Sequence, residues 1–435
     1  MKSLSTHPLN ELALLNPPPE PTLPERVQIL VQKFTSRWWE GDTGLPDLGR
    51  AYTLRDQLAK EKDLERFLEF LNAEGKNRPK TRDERIAARE RILPRAIQFA
   101  RSAFDLEDRH IRAIQSYGFM EIAEEFANMA RKFDPALTQQ DIYQASRNVW
   151  SMNIMQILLG QPIQMTPAIF AYSMLYPYSD NYLDDPKISA EAKRAFNERF
   201  RRRLAGEEVT PPNSQEQVIS DLIGQIEGQF DRRRYPQVYE SLLAIHRAQS
   251  RSVELLHRSG SPYEVDALGI CFEKGGTSVL ADGYLLLGEL TPAQQEFMFH
   301  YGVFTQLMDD LEDARQDLQD GIMTIFSQTA CAWPLDAITN RTFHVGNQLL
   351  AALESFAGPG IEPLKELFRF CLTPLLIGEV GTCEQLYTRP YRRELERHFF
   401  FRFSFLNRQR KNLAHRNLSL LNLAEILALP REFRK

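Results

Sequence analysis

The chain has 435 residues, 43% of them hydrophobic and 26% charged, with a net charge of −5 and a pI near 6.0. That length can bury a sizeable core in one large domain or two ordinary ones, and the mild acidity excludes a general affinity for nucleic acid. The cysteines Cys271, Cys331, Cys371 and Cys383 form no CxxC pair and no zinc spacing, so they are expected as reduced core residues of a cytoplasmic protein.

The N-terminus lacks the charged start and apolar stretch of a secretory signal, and no apolar run is long enough to span a membrane. Residues 1–23, with Pro17, Pro18 and Pro19 in a row, read as a disordered tail. From Pro24 the hydrophobic period is helical. Arg26–Trp39 and Leu48–Leu71 read as amphipathic helices, and Lys76–Arg91 as a charged linker entering an exposed helix. Together 24–100 make a helical N-terminal extension. Helices near 106–133, 138–160 and 165–184 follow, then 187–204, 214–231 and 236–258, with a break at 204–213.

The stretch 262–288 is apolar but interrupted by Gly275 and Gly276, which predicts a kinked helix. Thr291 as cap and Pro292 in the first turn start a helix that runs to Leu318. Helices at 342–356, 361–387 and 391–411 complete the series, and 416–435 reads as a tail. β alternation is scarce, and no GxGxxG or GxxxxGK phosphate loop occurs. The expected fold is all-α: a large antiparallel helical bundle over 101–415 behind the helical extension.

Two acidic clusters close apolar helices. The first holds Asp180, Asp184 and Asp185, the second Asp309, Asp310, Glu312, Asp313 and Asp317. Helical residues advance about 100°, so Asp180 and Asp184 share a face, and Asp309, Asp313 and Asp317 form one stripe over two turns. Phe304, Leu307, Met308 and Leu311 fall on the opposite face. Like charges at this spacing destabilise a helix, so the stripe calls for a cation or full solvation. Hard oxygen ligands of this kind suit Mg2+ completed by substrate phosphates.

The segment with Gly302, Gln306, Asp309, Asp310, Asp313, Asp317 and Gly321 resembles the second aspartate-rich motif of class I isoprenoid synthases. It is similar to the squalene and phytoene synthases and to the terpene cyclases, and Asp180–Asp184–Asp185 with Tyr182 also resembles the bacterial large-terpene synthases. Glu312 stands where phytoene synthases have an arginine, and Thr324–Ile325–Phe326 replaces their Tyr-Leu-Pro segment. The resemblance implies an isoprenoid-synthase-type bundle and a Mg2+-dependent terpene synthase. Such an enzyme ionises an allylic prenyl diphosphate, then cyclises or eliminates with release of diphosphate. The alternatives are head-to-head condensation of two prenyl diphosphates, as in squalene and phytoene synthases, and a non-catalytic helical binding protein of the same fold.

On that resemblance the metal ligands are Asp180, Asp184, Asp185, Asp309, Asp313 and Asp317, with two or three Mg2+ ions (or Mn2+) beside the diphosphate. Asp180, Asp184, Asp309 and Asp313 are the catalytic carboxylates. Substrate contacts are Lys274, Arg389, Tyr391 and Gln306, with Tyr176 and Phe304 as aromatic walls for a cation. Phe399–Phe405, followed by basic residues 408–416, offers peripheral membrane contact for a lipid-soluble substrate. No nucleic-acid partner is expected, and the protein is expected as a monomer or homodimer.

Overall fold

Threonines start many of the helices. Thr22, Thr81, Thr138, Thr291 and Thr324 each cap a helix whose third residue returns a side-chain bond, satisfying two orphaned backbone donors per start. The computed structural model describes residues 21–75, 81–184, 187–256, 265–358 and 360–414. The side chains of Arg82, Tyr176, Asp180, Asn181, Asp184, Glu254, Leu413 and Ala414 lie outside that description. The tails expected at 1–23 and 416–435 fall almost wholly outside it.

The protein is all-α. In chain order the helices are α1 (Leu23–Glu40), α2 (Leu54–Gly75), α3 (Arg82–Phe104), α4 (Asp108–Tyr117), α5 (Phe119–Phe133) and α6 (Gln139–Leu158). Next come α7 (Pro167–Asp184), α8 (Ala190–Leu204), α9 (Ser214–Gln229), α10 (Pro236–Ser252), α11 (Ala267–Leu287) and α12 (Pro292–Glu312). The series closes with α13 (Ala314–Asp320), α14 (Ile325–Ala330), α15 (Asp336–Leu353), α16 (Ile361–Thr382), α17 (Arg389–Arg397) and α18 (Phe403–Ala414). Among the described residues the only β pairing is an isolated bridge between Leu256 and Ile322.

Three expectations shift. The helix expected at 106–133 breaks at Gly118, whose left-handed φ of 71° ends α4 and starts α5. The helix expected at 391–411 breaks at Phe399–Arg402, separating α17 from α18. The stretch 262–288, expected as a helix interrupted at Gly275–Gly276, forms one continuous α11 from Ala267 to Leu287, in which the glycines admit a neighbouring helix.

α11 is the central rod, buried for nearly its whole length and packed on α12, α10, α1, α6 and α7. The N-terminal extension is part of the same body: one core runs from Leu23 to Phe405. Trp38 of α1 meets Phe272 of α11 edge-on at 6.1 Å, and Lys33 pairs with Glu296 of α12 at 2.6 Å. α2 clasps the C-terminal helices. Gln57 donates to the carbonyls of Glu396 and Phe399, and Glu61 takes Arg402 in a paired bond of 2.6 and 2.9 Å.

The expected membrane-facing segment is corrected by this packing. Phe399, Phe400, Phe401, Phe403 and Phe405 are all buried, at roughly 2 kcal/mol of apolar burial each, so they have no surface left for a bilayer. Of the basic stretch behind them, Arg408 pairs with Glu65 and Arg410 with Glu312. No described helix is long and apolar enough to cross a membrane.

Candidate functional site

The site is set by how closely α11 and α12 approach. A Cβ on Gly302 would run into the backbone of Gly275 and Gly276, and one on Gly275 would meet the Gln306 Cβ at 2.5 Å. This glycine contact brings the last two turns of α12 against Cys271 and Lys274. Gln306 donates to the Asp310 carboxylate at 2.8 Å, and the Cys271 thiol hydrogen-bonds the same group.

Asp310 is therefore drawn inward, only 6% exposed, with Oδ2 lacking any partner. Burial lifts its pKa to about 6, against the pull of the Gln306 and Cys271 bonds. Asp309 points the other way, to Arg147 of α6, across 3.1 Å. α12 ends at Glu312, but the i,i+4 register persists: the Asp313 N–H donates to the Asp309 carbonyl at 2.9 Å and that of Asp317 to the Asp313 carbonyl at 2.8 Å. Asp313 is exposed at the junction, while Asp317 is buried in α13. Burial, then the charges of Asp310 and Asp313, raise Asp317 to about 7.

A further carboxylate comes from α16. Burial, then repulsion from Glu312 with Asp309 and Asp313 adding to it, takes Glu379 to about 7, so it faces the cluster. Lys274 offsets the charge on Asp309, Asp310 and Asp317, and it has no hydrogen bond or ion pair among the described residues.

Several of these side chains combine accessible surface with loss of water. Asp309 keeps half of its side-chain surface, 50%, yet burial is the first cause of its raised pKa. Tyr301, one helical face further back on α12, is also partly accessible, while desolvation lifts its hydroxyl to about 12. Both side chains therefore stand among dense protein while keeping part of their surface accessible.

The sequence-derived site divides accordingly. Asp309, Asp313, Asp317 and Lys274 come together. Gln306 serves as the positioning partner of Asp310 rather than as a wall for substrate. Phe304 is buried and points toward Gly346 of α15, away from the cluster. Tyr391 is buried between α15 and α17, its hydroxyl donating to Asn340 at 2.7 Å and its ring stacked on Tyr387 at 5.6 Å. Arg389 is exposed at the start of α17, away from any described contact with the aspartates. Asp180 and Asp184 lie on α7, but their side chains, that of Tyr176 and the whole of Asp185 fall outside the described residues.

Sequence reasoning named Asp310 in the cluster without giving it a role, and it missed Glu379 and Arg147. The doubled aspartate at 309–310 was a usable signal for the first. The other two belong to helices whose facing toward α12 appears only in the packing.

Among the described residues no three His, Cys, Asp or Glu side chains close into one metal-holding group. Mg2+ does not require a closed cage, since it keeps several waters and takes one or two carboxylates plus substrate phosphates. Mutually repelling carboxylates fit such a cation. Neither a protein-family model, nor a curated protein, nor a solved structure matches this chain.

Proposed function

We propose that this chain is a Mg2+-dependent class I terpene synthase, which ionises an allylic prenyl diphosphate and cyclises or eliminates the resulting cation. The observation that supports the reading is the clustering of Asp309, Asp310, Asp313, Asp317 and Glu379 at the end of α12, with Lys274 offsetting the charge of Asp309, Asp310 and Asp317. The residues to hold Mg2+ are Asp309, Asp313 and Asp317, with Asp180, Asp184 and Asp185 of the first cluster as the resemblance implies. When bound, Mg2+ supplies positive charge against the diphosphate as its C–O bond breaks.

The chain's own residues do the rest. Lys274 and Arg147 offer cations to the diphosphate oxygens, the interaction that gains most as negative charge grows on the leaving group. Gln306 orients Asp310, and Asp310 fixes the end of α12 on which Asp309 and Asp313 sit. Tyr301 and Thr305, which continue the Asp309 face of α12 away from its end, would keep water from the cation.

The test is direct. Purified protein is offered farnesyl, geranylgeranyl and geranylfarnesyl diphosphates with and without Mg2+, and diphosphate release and hydrocarbon mass are measured. The reading expects Mg2+-dependent release and one hydrocarbon per substrate molecule. A doubled chain would move the reading to head-to-head condensation. No release from wild type, or release unchanged in Asp309→Ala, would leave only a non-catalytic helical protein.

A further inference from the structure

Trp333 is 72% exposed, more than any other large hydrophobic side chain among the described residues. A lone apolar side chain on a surface needs no explanation, but the setting of this one does. It stands in a run of four exposed, uncharged residues, Cys331, Ala332, Trp333 and Pro334, between α14 and α15. Such a run makes a tip and not a groove. The tip is held at both feet. The N–H groups of Ala332 and Trp333 donate to the Thr329 carbonyl at 3.1 and 2.8 Å, and that of Leu335 donates to the Leu386 carbonyl at 3.0 Å. Leu335 itself is fully buried. The backbone is fixed, yet the indole has no partner among the described residues.

Charge stands beside the tip. Its foot is tied to the start of α17, where the Thr388 N–H and hydroxyl donate to the Asp336 carboxylate at 3.1 and 2.5 Å. Arg389 is the next residue, and Arg393 follows one turn on, about 40° round the same helix face. Tyr391 and Leu395 are the buried side of that helix. Arg389 and Arg393 are both exposed, and neither has an ion pair among the described residues. The acids at hand are engaged: Asp336 by Thr388, Glu384 by Arg392 and Glu394 by Arg397. An uncharged tip carrying an indole is thus flanked by two uncommitted cations.

We propose that this end of the molecule docks on an anionic phospholipid surface, with Trp333 at the headgroup level and Arg389 and Arg393 against the anionic headgroups. Tryptophan is favoured at that level because its ring is apolar while its N–H keeps a polar partner. Each arginine near an anionic leaflet strengthens partition about fivefold. A protein partner fits less well. A stable protein interface covers roughly 800 Å2 on each side, of which a four-residue tip supplies a small part. A bilayer requires no shape-matched surface. The surface is distinct from the phenylalanines of residues 399–405, which are buried. It is also independent of the ionisation reading, since docking involves no substrate.

The experiment is co-sedimentation of the full chain with vesicles of phosphatidylcholine alone, and of phosphatidylcholine mixed with phosphatidylserine. Wild type is expected to bind the mixed vesicles and to be released by high salt, which screens the arginines. Trp333→Ala should lower that partition about tenfold, as one indole's apolar area leaves the interface. Arg389→Gln with Arg393→Gln should lower it about 25-fold on mixed vesicles and leave binding to neutral vesicles unchanged. Both variants should melt with wild type, because the three side chains are exposed and unpaired. Ile29→Ala, exposed on α1, should bind as wild type does. Wild type that ignores mixed vesicles overturns the proposal. So does Trp333→Ala that binds like wild type, or Ile29→Ala that loses as much as Trp333→Ala. Self-association in the ultracentrifuge that Trp333→Ala abolishes, without vesicle binding, overturns it in favour of a second copy of this chain.

Discussion

Arg147 and Asp309 meet at 3.1 Å, joining α6 to the end of α12. Both side chains are about half accessible, so as an ion pair they contribute less than about 1 kcal/mol to stability. The energetic value of Arg147 is expected in the reaction instead, as a cation that can turn from Asp309 to a diphosphate. Arg147→Ala should leave the melting temperature within 1 to 2 °C of wild type, on the order set by that small pair energy. Diphosphate release should fall about tenfold, equivalent to 1.4 kcal/mol of lost transition-state stabilisation. Steady-state kinetics beside a thermal melt checks both halves.

The raised carboxyls predict how stability moves with pH. Asp310 at about 6, and Asp317 and Glu379 at about 7, hold protons in the folded chain that the unfolded chain releases near pH 4. Their folded pKa values lie above the unfolded ones, and charging is what burial opposes. Their contribution is therefore fully favourable below pH 4 and is lost as pH rises from there through 6 to 7. Without divalent cation the protein should melt higher at pH 5.5 than at pH 7.5. Mg2+ should narrow that gap: at about 100 times its dissociation constant it adds roughly 2.7 kcal/mol, at pH 7.5 far more than at pH 5.5, where protons compete. A Mg2+-induced shift equal at both pH values would refute the placement of metal on this cluster.

The contact of α11 with α12 predicts the cost of a single methyl group. In Gly302→Ala the new Cβ would press on the backbone of Gly275 and Gly276, which no rotamer change can relieve. The helices must part, at about 3 kcal/mol, less the gain of roughly 1 kcal/mol in helix propensity. Because Gln306 sits one turn on, the shift also disturbs the Asp310 bond, so release of diphosphate should fall even at temperatures where the variant is folded. By contrast Gly224→Ala, where a Cβ meets nothing, should be neutral or slightly stabilising. Urea denaturation of the two variants separates close packing from propensity.

These sites mark where the sequence was legible. Helix-forming period, with the Thr291 cap at one start, was enough for the all-α class and most helix positions, because both are local. The i,i+4 spacing of Asp309, Asp313 and Asp317 was legible for the same reason. Glu379 was not, since its role depends on α16 lying against α12, a contact without a sequence mark. Gly275 and Gly276 were noticed but read as a kink; from sequence alone a glycine that bends a helix and one that admits a neighbour look the same. The run of phenylalanines at 399–405 misled in the opposite direction, since apolar residues next to arginines read alike whether they face lipid or a partner helix. What decides that case is Arg402, whose charge is taken up inside the protein.

That pairing yields the last prediction. Glu61 is nearly inaccessible, and it accepts the Arg402 backbone N–H at 3.0 Å as well as Nε at 2.9 Å and Nη2 at 2.6 Å. Arg402 keeps about a third of its side-chain surface in solvent. The two deletions should therefore be unequal. Arg402→Ala strands a buried carboxylate with one remaining donor, and the cost is expected near 3 kcal/mol, at the lower edge for breaking a buried pair because water reaches the arginine end. Glu61→Gln keeps an acceptor for the backbone N–H and leaves an arginine that solvent can take up, so its cost should be about 1 kcal/mol. If urea midpoints rank the two variants the other way, α2 does not hold the C-terminal helices through this bond. If the ranking holds, the helical N-terminal extension is a structural clasp of the bundle.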